Sequence, residues 1–200
     1  TESSFRESNP GAFLVESWDL ETSENHFSVT IGPEFNGADK DLKLLRLLPE
    51  IAQLTIVGQT IDSSMLDLLT EDTTVQYVSL IECEYNFNEI FELLQKRPDM
   101  LVTSAGNQAF LGVQLQTQIN SEGKSVCQVL EVVADSAAEE AGIQALDIIQ
   151  SINGTPVAYL EQTILAIGAF KPGDVLALKI KRQDEDLSVN VTLRERAGER

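Results

Sequence analysis

Alternation of apolar and polar residues is the clearest pattern in the second half of the chain. Val113, Leu115 and Thr117 are separated by glutamines, and the same two-residue period recurs at 175–180 and 187–193. This period places every second side chain on one face, which is typical of strands with one buried face. Three strands are therefore predicted here.

Further elements are predicted between these strands. Residues 129–133 and 148–152 are apolar runs of strand length, and the second ends at an Asn-Gly turn. Residues 135–142 predict a short helix, because an aspartate or serine N-cap precedes a glutamate in capping-box position and Gly142 ends the segment. Residues 159–168 predict a second helix, which leads to a Lys-Pro-Gly-Asp turn.

A glycine precedes the first alternating strand, in the stretch QAFLGV at 108–113. Gly112 follows the apolar pair Phe110 and Leu111, and a residue without Cβ lets backbone amides turn outward. Outward amides can hold a carboxylate, and the strand edge beyond them can pair with an incoming extended chain. An ordinary junction between a loop and a strand is the alternative that this stretch leaves open.

Taken in order, these segments resemble a PDZ domain of the bacterial, protease-associated type. The matching residues are FLGV at 110–113, DSAAEEAGIQALDIIQSINGTPV at 135–157 and FKPGDVLALKIKR at 170–182, within a likeness that covers about 108–195. The chain departs from the family at Ala137, where proline is usual, and at residues 145–147, where Ala-Leu-Asp replaces Pro-Gly-Asp. The resemblance implies an α+β, partly open β-barrel with two helices.

A repeated pattern occupies the first half of the chain. Four strand-like segments recur about every 24 residues, at 26–31, 51–56, 75–80 and 98–103, and their aligned apolar residues are Val29, Leu54, Val78 and Leu101. Helical patterns lie between them at 38–48, 63–69 and 88–96.

This strand–helix unit resembles a leucine-rich repeat, with Cys83 at the position that the family fills with asparagine or cysteine. Gln59 and Glu34 occupy that position in the other copies, so we expect a short, irregular α/β stack of parallel strands. A compact α/β domain with a small parallel sheet remains the alternative. Residues 13–18 are expected to form a strand that covers the edge of the first repeat.

Two domains are therefore expected. The first is a leucine-rich-repeat-like α/β domain over 1–104, in which residues 1–10 are polar and expected to be disordered. The second is the PDZ-like domain over 105–200.

Charge and hydropathy each argue against one class of partner. The formal net charge is −18, whereas nucleic-acid binding needs cationic side chains that displace counterions from phosphates, so no nucleic-acid partner is expected. No apolar run approaches the roughly 20 residues of a spanning helix, so no membrane insertion by this segment is expected. The chain does not begin with Met, from which we expect a processed or truncated piece whose leader or anchor lies outside it.

No catalytic residue, cofactor or metal is expected. His26 is the single histidine and no nucleophile motif accompanies it, so a Ser-His-Asp arrangement is not supported. One histidine and two scattered cysteines, Cys83 and Cys127, do not make a zinc ligand set or a disulfide framework. Glycine-rich nucleotide-binding loops are also absent from the sequence.

The predicted site is a peptide-binding groove between the first PDZ-like strand and the second helix. Its predicted residues are Phe110, Leu111, Gly112, Val113, Gln114, Leu115, Leu160, Ile164 and Ile167. The last three form one helical stripe that spacing alone could equally assign to the core. The resemblance favours the groove, makes Leu165 the core anchor, and implies that Leu160 favours an apolar ligand side chain two residues before the ligand's end.

The expected function is a non-catalytic interaction module that binds proteins or peptides with an apolar C-terminal or extended segment by strand addition. One alternative is the regulatory fragment of a larger protease, and another is a scaffold whose groove is blocked. The resemblance implies a cell-envelope or periplasmic-type compartment. The oligomeric state is left open by the sequence.

Overall fold

The computed structural model describes residues 12–18, 25–35, 51–71, 75–106 and 108–196. The chain divides into two compact units, Thr1–Gly106 and Asn107–Arg200. The helix predicted at 38–48 and the disorder predicted at 1–10 lie outside the described residues.

The first unit contains a five-stranded sheet in the order β1-β2-β3-β4-β5. Its strands are β1 (Ala12–Trp18), β2 (Asn25–Ile31), β3 (Ile51–Val57), β4 (Tyr77–Ile81) and β5 (Leu101–Ala105). β1 is antiparallel to β2, and the remaining neighbours are parallel. α1 (Ser63–Glu71) follows β3, and α2 (Phe87–Lys96) follows β4. The predicted edge strand and parallel sheet are thus confirmed.

One row of apolar side chains crosses the parallel strands and forms the centre of the core. Val29, Leu54, Val78 and Val102 are aligned in register and are all buried. The predicted fourth member, Leu101, is wrong by one residue, because Leu101 is exposed and pairs with Tyr77 instead. A turn at residues 98–99, where the Met100 amide donates to the Arg97 carbonyl (3.1 Å), delays the start of β5.

Arg97 connects the end of α1 to the beginning of β4. Its buried guanidinium donates to the carbonyls of Leu69 (3.0 Å) and Val75 (2.9 Å) and forms an ion pair with Asp99 (2.7 Å). The last carbonyls of a helix have no partner within the helix, so this side chain satisfies one of them. The hydrogen bond from Arg97 lowers the pKa of Asp99.

The second unit contains a six-stranded sheet in the order β12-β11-β9-β8-β7, with β10 paired to β9, and a separate pair of short strands, β13 and β6. The strands are β6 (Ala109–Phe110), β7 (Val113–Ile119), β8 (Ser125–Val132), β9 (Ile148–Ile152), β10 (Thr155–Pro156), β11 (Val175–Arg182), β12 (Glu185–Thr192) and β13 (Arg194–Glu195). The helices are α3 (Ala137–Glu140) and α4 (Leu160–Gly168).

Local signals account for most of these boundaries. The Ser136 hydroxyl accepts from the Glu139 amide (3.2 Å) at the start of α3, and Gly142 has a φ of 75° just after its end. Asn153 and Gly154 both have positive φ, which is typical of the tight turn that joins β9 to β10. These predicted turns and caps are confirmed.

A buried ion pair joins the loop before β9 to β11. The Asp147 carboxylate is fully buried and accepts two hydrogen bonds from Arg182, each 2.8 Å, and one from the Gln144 amide (2.8 Å). Arg182 also donates to the Gly142 carbonyl (2.7 Å). The hydrogen bonds to Asp147 raise the pKa of Arg182. The pair therefore holds the turn after α3 against the sheet.

Candidate functional site

Strand β7 lies at the end of the second sheet and presents an open edge. Among the described residues, only β8 pairs with it. Val113 lies opposite Val132, and the Val133 amide donates to the Gly112 carbonyl (2.9 Å). Because backbone groups alternate in direction along an antiparallel pair, the amide and carbonyl of Val113 point away from β8. Another extended chain could pair with this edge.

The loop before β7 is shaped by Gly112. Its φ is 86°, and an added Cβ would lie 2.1 Å from the Ser136 Cβ and 2.6 Å from the Ser136 Oγ. Non-glycine residues rarely adopt this conformation, and a contact that short leaves no room for a side chain. The fold therefore requires glycine at position 112 for two reasons: the backbone has a positive φ, and Ser136 at the start of α3 lies too close to admit a side chain.

The carbonyls of this loop point inward and its amides remain unpartnered. Leu111 accepts from the Ala138 amide (2.9 Å), and Gly112 accepts from the Val133 amide (2.9 Å) and the Ser136 hydroxyl (3.3 Å). No described residue accepts a hydrogen bond from the amide of Leu111 or of Gly112. Successive free amides with inward carbonyls form the kind of concavity that binds an anion.

The last described strand secures this loop. β13 pairs with β6, and the Arg196 guanidinium lies over the Phe110 ring, 5.1 Å from its centroid. Arg194 donates to the Asp135 carbonyl and to the Glu140 carboxylate, the latter at 2.6 Å. These contacts tie both sides of the loop to residues that are distant in sequence.

Helix α4 presents an exposed apolar stripe beside β7. Ile164 is 47% exposed, and Leu160 and Ile167 are partly exposed, whereas Leu165 is only 1% exposed. The stripe is therefore not part of the buried core, and the prediction that Leu165 anchors the helix is confirmed. The Leu160 amide donates to the Thr117 hydroxyl (2.9 Å), which places the start of the helix against β7.

Cys127, on strand β8, connects the same helix to the sheet through a buried hydrogen bond. The Thr163 hydroxyl donates to the Cys127 Sγ (3.3 Å), and both side chains are fully buried. Burial raises the pKa of the Cys127 thiol. A buried thiol with a raised pKa stays protonated and is therefore a poor nucleophile, so we assign Cys127 a structural role in packing.

The predicted site residues take different positions. Val113 and Leu115 are partly exposed on the strand face that Thr117 shares. The Leu111 side chain is buried, so only its backbone is accessible. The Gln114 side chain lies on the opposite face, where it donates to Glu131 (3.1 Å). Phe110 is partly exposed at the loop.

Sequence reasoning missed Thr117 and the second role of Ser136. Ser136 was predicted only as a possible helix cap, whereas it also donates to the Gly112 carbonyl. Thr117 was assigned to the strand wall, but its bond to Leu160 joins residues 43 apart. No local pattern signals a contact across that separation.

The described ranges contain no group of three or more His, Cys, Asp or Glu side chains that could hold a metal ion. None of their helices has the length and apolar character needed to cross a membrane.

Residues 109–193 match the family model of the PDZ domain. This part of the chain is a PDZ domain. The open edge of β7, the loop at Gly112 and helix α4 all lie within the matched residues.

The PDZ domain is homologous to the PDZ regions of HtrA and DegP proteases. Serine protease HTRA1 of Xenopus tropicalis is 38% identical over 84 residues, which are 41% of this chain and 18% of that protein. Periplasmic serine endoprotease DegP of Escherichia coli K12 is 29% identical over 94 residues, 45% of this chain and 20% of that protein. The chain thus spans about one fifth of the length of the curated relatives it matches.

Among solved structures, the PDZ domain of HtrA3 bound to a phage-derived ligand (FGRWV) is 26% identical to this chain. The alignment covers 43% of this chain and 85% of that one, with a TM-score of 0.38. A PDZ domain is a non-catalytic module.

Proposed function

We propose that the PDZ domain binds the C-terminal or extended end of a protein by adding it as a strand to β7. The observation that carries this proposal is the pair of unpartnered amides at Leu111 and Gly112, next to an open strand edge. Main-chain pairing supplies affinity in such complexes, and side-chain pockets supply specificity.

Each predicted residue has a role in this mechanism. The amides of Leu111, Gly112 and Val113 hold the ligand carboxylate, and the β7 backbone, including that of Gln114, pairs with the ligand chain. Apolar ligand side chains contact a surface formed by Val113, Leu115, Leu160, Ile164 and Ile167, with Phe110 at its entrance. An isolated groove of this size binds peptides with a Kd on the order of micromolar.

The carboxylate contact is tested with the pentapeptide Phe-Gly-Arg-Trp-Val, in free-acid and C-terminally amidated forms. Titration is followed by NMR amide shifts of Leu111, Gly112 and Val113. We expect saturable shifts with the free acid and at least about tenfold weaker binding of the amide, because the charge-assisted hydrogen bonds are lost. Equal affinities for the two forms, or no shifts at all, would refute the proposal.

The groove assignment is tested by Ile164→Ala. We expect about tenfold weaker peptide binding with little change in unfolding, because Ile164 is half exposed in the free protein. Val175→Ala is the matched control, since Val175 is an exposed apolar residue on β11. A loss of affinity that is equal in the two variants would place the ligand elsewhere.

A second function is favoured by the relatives, which are named as proteases and share this PDZ domain. In this alternative the groove regulates a protease of which the present chain is a part. Proteolytic assay of the full-length gene product, with and without the pentapeptide, distinguishes it from a stand-alone module. We also propose a periplasmic-type compartment, as in the name of the Escherichia coli relative; cell fractionation tests it.

We further propose that the first unit is a short leucine-rich-repeat-like stack. Gln59 donates to the Gly32 (2.8 Å) and Phe35 (3.1 Å) carbonyls, and Cys83, at the equivalent position 24 residues later, donates to the Ile56 carbonyl (3.2 Å). We expect Cys83→Asn to remain folded with stability within about 1 kcal/mol, because an amide can make the same bond. Cys83→Asp is the control, because an ionised carboxylate cannot donate this hydrogen bond. A loss of stability in Cys83→Asn as large as that in Cys83→Asp would contradict the repeat assignment.

The domain limits of 1–104 and 105–200 form part of this proposal. Residues 105–200, expressed alone, are expected to fold and to bind the pentapeptide.

A further inference from the structure

The start of helix α4 is attached to the β7–β8 strand pair at two points. The Leu160 amide donates to the Thr117 hydroxyl (2.9 Å), and the Thr163 hydroxyl donates to the Cys127 Sγ (3.3 Å). Thr117 and Cys127 lie directly opposite each other on β7 and β8. Leu160 and Thr163 lie one helical turn apart, so the whole first turn of α4 is held against these two strands.

Thr117 closes the space between β7 and α4 at this end. It shares a strand face with Leu115 and Val113, which are two and four residues nearer to Gly112, and its hydroxyl reaches the helix directly. A ligand strand that pairs with β7 lies roughly 4.7 Å from it, the usual distance between neighbouring strands of a sheet. A direct hydrogen bond of 2.9 Å between Thr117 and Leu160 leaves no passage for a chain between these groups.

The usable length of the groove follows from the rise of a strand. Val113 and Thr117 are separated by about 13 Å at the usual 3.3 Å per residue, which corresponds to about four ligand residues. Helix α4 contacts both β7 and β6, so it extends from Thr117 toward the loop at Gly112. The groove is therefore open beside the loop and closed at Thr117.

We propose that Thr117 is a specificity-determining residue that limits recognition to about the last four residues of a C-terminal ligand. This inference rests on the proposed peptide-binding function. The hydroxyl of Thr117 acts as a positioning group: it holds Leu160, and a ligand residue beyond the fourth pairs with β7 only if this bond breaks. The cost of breaking it offsets the gain from the additional pairing.

The test measures how affinity depends on peptide length in the full chain and in Thr117→Val, which keeps the shape of the side chain and removes the hydroxyl. The probes are the N-acetylated peptides Arg-Trp-Val, Gly-Arg-Trp-Val, Phe-Gly-Arg-Trp-Val and an eight-residue form with three added N-terminal alanines. For the wild type we expect affinity to rise up to four residues and then stay constant within about twofold. For Thr117→Val we expect a further increase of about two- to tenfold from four to eight residues.

Two variants serve as controls. Thr117→Ser keeps a hydroxyl and is expected to restore the wild-type length limit, and Gln118→Ala alters the next, exposed residue without touching Leu160. Hydrogen exchange at the Leu160 amide provides a readout that needs no ligand: exchange is expected to be faster in Thr117→Val and unchanged in Thr117→Ser.

Peptides that bind with the same length dependence in the wild type and in Thr117→Val would overturn the inference while leaving the peptide-binding function in place. Equal Leu160 exchange in these two proteins would overturn it as well. If no peptide binds any variant, the proposed function itself fails, and the length limit fails with it.

Discussion

The described residues of each unit include an arginine–aspartate pair, and the two pairs are buried in opposite ways. In the first unit the Arg97 side chain is 7% exposed and its partner Asp99 is 54% exposed. In the PDZ domain the Asp147 side chain is fully buried and its partner Arg182 is 29% exposed. The buried member depends on its partner far more than the exposed member does, because water can replace only the contacts of the exposed group.

This difference follows from how the two units are built. Arg97 makes hydrogen bonds to two carbonyls as well as to Asp99, so its charge has several buried partners. Within the described part of the chain, the cation that pairs with Asp147 is Arg182, on a strand 35 residues away. The Arg97–Asp99 pair thus joins residues two apart, whereas the Asp147–Arg182 pair joins residues 35 apart.

The largest effect is expected for Arg182→Met. Removal of this guanidinium leaves a fully buried carboxylate without its counter-charge, which costs about 3–5 kcal/mol in the free energy of unfolding. Urea denaturation followed by amide hydrogen exchange reports the two units separately. The control is Asp99→Asn, for which a much smaller loss is expected because Arg97 keeps its two carbonyl partners. Equal losses would show that burial of one partner is not what distinguishes the pairs.

Two glycines with nearly the same φ sharpen the comparison. Gly106 in the first unit has a φ of 84° and Gly112 in the PDZ domain has a φ of 86°. An added Cβ at Gly112 meets the buried Ser136 at 2.1 Å, so Gly112→Ala is expected to cost about 2–4 kcal/mol in unfolding free energy.

Gly106→Ala is the matched control for this prediction. Its nearest neighbour is the Cγ of the exposed Glu82 side chain, which can move away, so the expected cost is about 1–2 kcal/mol, mainly from the positive φ. Chemical denaturation of both variants measures the difference. A smaller cost at Gly112 than at Gly106 would contradict the crowding seen beside α3.

Alkaline pH is expected to weaken the first unit through Tyr85. Burial raises the pKa of Tyr85 to about 12, a shift that its hydrogen bond with Ser104 opposes. The folded state therefore holds this proton more tightly than the unfolded state, whose tyrosine has its ordinary pKa near 10. The resulting stabilisation is complete below pH 10 and is lost as the pH rises toward 12.

The loss amounts to about 2 kcal/mol and is measured as the pH dependence of urea unfolding between pH 9 and 12. Tyr85→Phe should make this dependence clearly weaker, and Tyr77→Phe, at an exposed position of the same unit, controls for the substitution. A Tyr85→Phe variant that loses stability over this range as steeply as the wild type would disprove the assignment.

The smallest effect is expected at Leu146, where the chain has leucine in place of the glycine usual in the resembling family. Leu146 is exposed and has a φ of 74°, a conformation that costs a non-glycine residue about 1–2 kcal/mol. Leu146→Gly relieves this strain but adds freedom to the unfolded chain, so a net gain of about 0.5–1 kcal/mol is expected. Leu146→Ala keeps the positive φ of a non-glycine residue and should leave the thermal midpoint nearly unchanged. An equal gain in stability in both variants would show that removal of the leucine side chain, and not relief of backbone strain, is the cause.

Much of the local structure could be predicted from residue order. The strand at 148–152 has the predicted bounds, and the predicted helix at 159–168 begins one residue later, at Leu160. Short-range chemistry is sufficient at these places, because turn dipeptides, caps and two-residue alternation act within a few residues.

Register and burial could not be predicted with the same accuracy. Leu101 was aligned with Val78, but Val102 occupies that position, so the step from Val78 is 24 residues, the same as the step from Leu54 to Val78. Spacing alone left the stripe on α4 compatible with the core or with a groove, and its partial exposure in the fold shows only that it is not part of the buried core.

The sequence by itself therefore determined which segments become strands, helices and glycine turns, since these depend on neighbours in the chain. Tertiary structure alone decided that β7 lies at a sheet edge, that Leu111 is buried while its amide has no described partner, and that Thr117 meets Leu160. These features arise where segments distant in sequence pack together, and packing depends on the shape and depth of the whole unit rather than on local periodicity.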